Sequence, residues 1–230
     1  MSTSAPYRGL SQITAFLAAP FLQEPTLTLY QRWYHGLHLL KDAFSSNAND
    51  MKTFFPALER SREQLEKVIS GTFSIETARQ DFYDIFFVPY SNRYQPPIES
   101  VVRYQTIWGK PHQELSERYQ QNGFDPYADP SIYTPFRMLG ITDMLGFELA
   151  YLAYTLDQAQ SIKFARDLWL QEARSFLSEH IIPFLQSYHR ILNTYADDSL
   201  YAPWSTLTYD MMQHVLEGIT SFSVEVFEDA

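Results

Sequence analysis

LTLYQRWYHGLHLLKDAF, residues 27–44, decides the fold class. Its apolar residues Tyr30, Trp33, Tyr34, Leu37, Leu40 and Phe44 recur at spacings of three and four. That is the period of one helix face, not the two-residue alternation of a half-buried strand. Working outward, the same period returns from about Met51 to Ile69 as Phe54, Phe55, Leu58, Leu65, Val68 and Ile69, with charges between them. Pro56 either starts that helix or kinks it. Gly71 is a stop signal, and Ser74 reads as the N-cap of a helix to about Phe87.

A break follows. Residues 88–97 hold three prolines, and Pro96-Pro97 is incompatible with a helix interior. A short segment runs to Trp108, punctuated by Gly109 and Pro111, and another helix to about Gln121 ends at Asn122-Gly123. Asp125 to Pro130 is turn-rich. Thr134-Pro135 reads as N-cap and first residue of a long helix to Leu156, with Gly140 and Gly146 inside it at about 1 kcal/mol each relative to alanine. A helix from Ser161 to about Tyr195, kinked at Pro183, and a last one from about Tyr201 to Ser221 complete the chain. The best alternating run, Ser223 to Phe227, sits at an end that frays. The expected fold is all-α: residues 1–230 as a single-domain helical bundle with a proline-rich hinge loop, and a seam, near 88–97.

Composition narrows the function. A chain of 230 residues buries a sizeable core without staples. With 16 tyrosines, many rings must sit half-wet, where the hydroxyl finds a partner. The absence of cysteine excludes disulfides, thiolate metal sites and cysteine nucleophiles. Met1 to Leu10 lacks the basic-then-apolar pattern of a secretory signal, and no run of 18 apolar residues spans a membrane, so a cytoplasmic protein is expected. The net charge of −10 repels phosphates and anionic lipid and attracts basic partners. Neither GxGxxG nor GxxxxGK[ST] occurs, and Lys and Arg do not cluster with aromatics, so nucleotide and nucleic-acid binding are unsupported.

Motifs for catalysis are missing as well. His35 and His38 share a helix face but have no carboxylate at a diagnostic offset, and there is no HExxH, so no metal and no cofactor is expected. There is no GxSxG elbow. Asp81 and Asp84, three apart, read as a solvated pair rather than an acid/base dyad. Two segments stand out instead. In Asp81-Phe82-Tyr83-Asp84-Ile85-Phe86-Phe87-Val88-Pro89, an aromatic helix end runs into a proline turn, followed by Pro96-Pro97-Ile98-Glu99-Ser100 and Tyr104. In Thr142-Asp143-Met144-Leu145-Gly146-Phe147-Glu148-Leu149, acids punctuate an apolar helix. On one continuous helix Asp143 and Glu148 lie about 140° apart, with both acids solvated or rimming an apolar groove.

In this order these residues resemble the TorD/DmsD/NarJ family of redox-enzyme maturation proteins. That family carries a [LF]F-x-x-P segment leading through a proline pair to a serine and an aromatic, here Ile85-Phe86-Phe87-Val88-Pro89 and Pro96-Pro97-Ile98-Glu99-Ser100. A later Asp-His…Glu-Leu motif is matched by Asp143, Glu148 and Leu149, and F-L-x-x-H-[LI]-x-x-[WF] by Phe176-Leu177-Ser178-Glu179-His180-Ile181-Ile182-Pro183-Phe184. The likeness covers about residues 20–220. Val88 replaces the usual glycine and Met144 the usual histidine, as in a divergent branch.

The resemblance implies an all-α, non-catalytic chaperone that binds the apo catalytic subunit of a molybdopterin oxidoreductase, or its basic twin-arginine leader, and assists cofactor insertion. A leader with a basic start and an apolar body asks for acids at one end of a groove and aromatics along it. Glu99, Asp143 and Glu148 are the candidate acids, and Phe86, Phe87, Tyr104, Phe147 and Tyr151 the candidate wall. Pro96, Pro97 and Ser100 belong to the motif, and His180, on an apolar stripe, is mainly structural with a lesser claim to touch a client. The chain is expected as a monomer or as a dimer swapped through the 88–97 hinge. Two other classes stay open: a helical small-molecule-binding protein or enzyme without a recognisable motif, marked by converging polar groups and shifted acids, and a plain scaffold, marked by an exposed aromatic patch.

Overall fold

Helix formation follows local signals over most of the chain. The structure, a computed structural model, describes residues 6–45 and 51–228. Helix α1 (Pro6–Ala18) begins on a proline, which suits a first turn whose N–H groups have no intrahelical acceptor. A 3₁₀ turn leads to α2 (Leu27–Phe44), where the Thr26 hydroxyl accepts the Leu29 N–H at 3.2 Å. Helix α3 (Phe54–Ile69) carries Pro56 in its first turn, so that proline starts the helix and does not kink it. In α4 (Ile75–Phe86) the Ser74 hydroxyl caps the Thr77 N–H at 3.1 Å, as its sequence position predicts. The short α5 (Glu99–Tyr104) and α6 (Lys110–Gln121) follow the proline-rich loop.

The helix expected from Thr134 to Leu156 is two. Helix α7 (Thr134–Leu139) stops at Gly140, whose φ of 61° is left-handed, and α8 (Leu145–Ser161) starts five residues later. Between them the chain turns aside to pair with 97–99, and inter-segment hydrogen bonds replace helical ones there. Asp143 is therefore not helical, and the face argument for Asp143 and Glu148 does not apply. The span 161–195 is also subdivided, into α9 (Arg166–Phe176), one π-helical turn at Leu177–Ile181, and α10 (Ile182–Tyr195). Pro183 has no N–H for the Glu179 carbonyl four residues back, and the wider turn absorbs the misfit. Helix α11 (Tyr201–Glu228) runs through the alternating 223–227.

These helices form one compact body with no strand among the described residues, only an isolated antiparallel bridge between Ile98 and Met144. Helix α8, buried almost all round, is the central element. Helix α1, which sequence reading passed over, lies against it, with the Ser11 hydroxyl on the Ala153 carbonyl at 2.8 Å. Gly146 lets the chain just past α1 come close: a Cβ there would stand 2.5 Å from Leu22 Cγ. Tyr30, Trp33, Leu37 and Leu40 of α2 and Phe54, Leu58, Leu65 and Val68 of α3 are buried, while Tyr34, Phe44, Phe55 and Ile69 are half-buried. Several tyrosines find the hydroxyl partners their number calls for, among them Tyr83 with Glu24 (2.5 Å) and Tyr133 (3.0 Å).

The 88–97 loop is tied down at several points. Arg93 reaches Asp81 (2.5 Å) and Asp198 (2.7 Å), the Gln95 N–H donates to the Ile85 carbonyl (2.8 Å), and the Tyr188 hydroxyl donates to the Gln95 carbonyl (2.9 Å). Asp81 is accordingly an ion-pair partner and not half of a solvated pair.

Candidate functional site

Pro97 and Ile98 are extended, and they meet the link before α8 edge to edge. The Glu99 N–H donates to the Asp143 carbonyl (2.8 Å), and the Leu145 N–H to the Pro97 carbonyl (2.9 Å). This pairing sets Asp143 over the start of α5, where its Oδ2 accepts the Ser100 N–H (2.8 Å) and the Ser100 hydroxyl. Burial pushes the Asp143 carboxyl above its ordinary range, and the Ser100 hydrogen bonds pull the other way. His112, on α6, fixes the link from the far side: its Nδ1 accepts the Thr142 N–H at 3.2 Å and lies 3.8 Å from Asp143 Oδ1.

Glu99 is fully buried. His180, projected from the π-helical turn, places Nδ1 2.9 Å from Glu99 Oε2, and Arg103, one turn on in α5, holds Oε1. Arg103 also donates to the Glu179 carbonyl (2.9 Å), the acceptor that Pro183 leaves without its helical N–H. Glu148 lies deeper, with 0% exposure and no hydrogen-bond partner for either oxygen among the described residues. Desolvation pushes its carboxyl well above the usual range, Glu99 and Asp143 add to the rise, and Arg103 opposes it. Burial thus favours the neutral acid at Glu148, since an isolated carboxylate in this setting is costly.

Above this layer a groove of about 830 Å³ opens between α5, α6, α9 and the π-helical turn. Glu99 and His180 lie at its floor, and Arg103, Tyr104, Glu114 and Glu117 line it. One wall is a fork: Arg118 binds Glu172 (2.6 Å) and Glu179 (3.0 Å), with its guanidinium 5.2 Å from the Phe176 ring centroid. The Tyr151 hydroxyl braces Glu172 from behind at 2.5 Å.

The structure brings Glu99, Tyr104 and His180 to the groove. Asp143, Glu148 and Ser100 lie beneath the floor, so the two acids neither rim it nor meet water. Phe147 and Tyr151 are buried in the core around α8. Phe86 packs on Tyr201 (4.6 Å between centroids) and Phe87 on Phe136 (4.9 Å), in an aromatic cluster with Phe82 and Tyr133. The sequence reading missed Arg103, Arg118, Glu172 and Glu179. Glu179 lies inside the quoted His180 motif without a role assigned to it, and the four-residue spacing of Glu99 and Arg103 signalled the latter. His38 faces Arg62 at 3.0 Å, and among the described residues no group of three histidines or acids is placed to hold a metal. No described helix is long and apolar enough to cross a membrane.

The family model of the nitrate reductase delta subunit matches residues 51–189, more than half of the chain and the span from α3 into α10 that builds the groove. The chain belongs to the nitrate reductase delta subunit family. Membership implies a molybdoenzyme maturation chaperone, and the family is non-catalytic. Neither the curated proteins nor the solved structures compared with the chain yield a match. In this delta-subunit member, the residues expected at the Asp-His…Glu-Leu motif form the layer under the groove, with Met144 in the bridge to Ile98.

Proposed function

We propose that this chain holds the apo catalytic subunit of a molybdopterin oxidoreductase in the cytoplasm, and that the groove over Glu99 receives a basic segment of it, such as its twin-arginine leader. One observation carries this reading: three motifs far apart in sequence, around Ser100, Asp143 and His180, converge on Glu99 within hydrogen-bond distance. Around that point five glutamates line the groove against three cations. Each of those cations is already paired, Arg103 with Glu99, Lys110 with Glu114 and Arg118 with Glu172. Glu117 and Glu179 add negative charge at the rim, and the chain's net charge of −10 speeds encounter with a basic segment. Converging polar groups beside a shifted carboxyl also mark small-molecule sites; the family's non-catalytic role supports a polypeptide occupant.

The test is co-purification of the tagged full chain from its native host under anaerobic respiration, with mass spectrometry of the partners. A molybdopterin oxidoreductase subunit as the dominant partner, lost on charge reversal Glu117→Arg with Glu114→Arg, is the expected result. Recovery of no such subunit, or its retention by the reversed groove, overturns the proposal.

A further inference from the structure

Three carboxyl groups, Glu99 at the groove floor with Asp143 and Glu148 beneath it, are all fully buried, and the first two act electrostatically on Glu148. Asp143 has one oxygen satisfied by Ser100, whereas Glu148 has neither. This layer therefore has unused capacity to accept hydrogen bonds. The cation that acts on Glu148 is Arg103, whose Nη1 donates both to the Glu99 carboxylate and to the Glu179 carbonyl. Beyond that nitrogen a guanidinium keeps further N–H donors in the same plane for an unsatisfied acid, which a compact ammonium lacks.

Arg103 sits where it can leave. Its side chain is 24% exposed and lines the groove beside Glu99. Helix α5 has only six residues and ends on Gln105 at φ 56°, with Trp108 at φ 55°. Left-handed conformations at two non-glycine residues store strain that a rearrangement releases. Tyr104, Ile107 and Trp108 beside them are 50%, 49% and 59% exposed, so little apolar contact holds the segment in place.

We infer that the Glu99–Glu148 layer is a guanidinium site closed by this chain's own Arg103, and that an arginine side chain of the bound polypeptide opens it by taking Arg103's place. The inference rests on reading the groove as the client site. It adds an autoinhibitory contact: the resting groove is plugged, and a client without a correctly placed arginine leaves it so. The apparent affinity is then the intrinsic affinity reduced by the fraction of molecules with Arg103 displaced.

The experiment titrates arginine amide and, separately, lysine amide into the ¹⁵N-labelled full chain by NMR. Wild type, Arg103→Gln, Arg103→Lys and the double variant Arg103→Gln/Glu99→Gln are compared, with circular dichroism confirming the fold of each. Expected is arginine-amide binding tightened about tenfold or more by Arg103→Gln, an intermediate gain for Arg103→Lys, no comparable gain for lysine amide, and loss of the gain in the double variant. Equal arginine-amide affinity in wild type and both single variants, or an equal gain for lysine amide, overturns the inference. If Arg103→Gln fails to fold, the Arg103→Lys comparison decides alone. Failure to co-purify a molybdoenzyme subunit, with the Arg103→Gln gain intact, sinks the proposed client and leaves the guanidinium site standing. A recovered client without that gain does the reverse.

Discussion

Glu148→Gln tests whether the buried layer holds a neutral acid. Well below the ordinary glutamate value the Glu148 carboxyl is protonated in both folded and unfolded chains, and stability does not vary with pH through it. Above the ordinary glutamate value of about 4.3 the unfolded chain ionises while the folded chain, whose pKa is raised by burial, keeps its proton. The unfolded state then binds fewer protons, so stability falls as pH rises, by about 1.4 kcal/mol per unit, until the folded carboxyl itself ionises. The loss accumulates only over the interval between the unfolded and the raised folded value, and it is set against the usual stability of about 5–15 kcal/mol of a folded domain. Glutamine removes this slope. Its amide brings its own unpaired donors, but that cost is independent of pH. Asp143, raised by burial in the same sense, is present in both proteins and cancels in the difference. Urea unfolding followed by circular dichroism at pH 5, 6 and 7 gives the stability of each protein. The difference, variant minus wild type, is expected to grow with pH, at up to about 1.4 kcal/mol per unit. Parallel profiles would refute the reasoning and mean that Glu148 is ionised or solvated in the folded chain.

Other outcomes follow from the packing. Gly146→Ala drives a Cβ to 2.5 Å from Leu22 Cγ, and the forced shift lowers stability by about 1–3 kcal/mol, read as a lower Tm. Ser74→Ala removes the hydroxyl that holds the Thr77 N–H and costs about 1 kcal/mol, measured by urea midpoint. Arg93→Ala cuts both ties to Asp81 and Asp198, so amide exchange across 88–97 accelerates by about fivefold or more while the α8 amides keep their protection.

Signals that act within one helical turn were legible in the sequence. The bounds of α2 and the cap at Ser74 follow from apolar period and side-chain chemistry, neither of which needs a distant partner. The period is present in α1 too: Tyr7, Thr14 and Leu17 are buried along it. The break at 140–144 was not legible, because the local pattern favours a helix. What prevails there is the pairing of the link before α8 with Pro97–Glu99, some 45 residues earlier.

The candidate site divides the same way. Ser100, Glu99, Asp143, Glu148 and His180 were marked by residue type and order, and the family by their succession. A chain pattern of this kind says which chemistry is carried, since side-chain type is local. It does not say which acids meet water. Glu148 was expected at a groove rim and lies wholly in the interior, because α8 is covered on all sides by α1, α9 and the helices around them, and coverage is set by elements remote in sequence. The sequence by itself determined an all-helical chain of this family with an acid-rich set of motifs. Only the tertiary structure decided that Asp143 and Glu148 lie beneath the floor, that Arg103 pairs with Glu99, and that the groove lies between α5, α6 and α9, because burial and charge pairing depend on neighbours the chain brings together by folding.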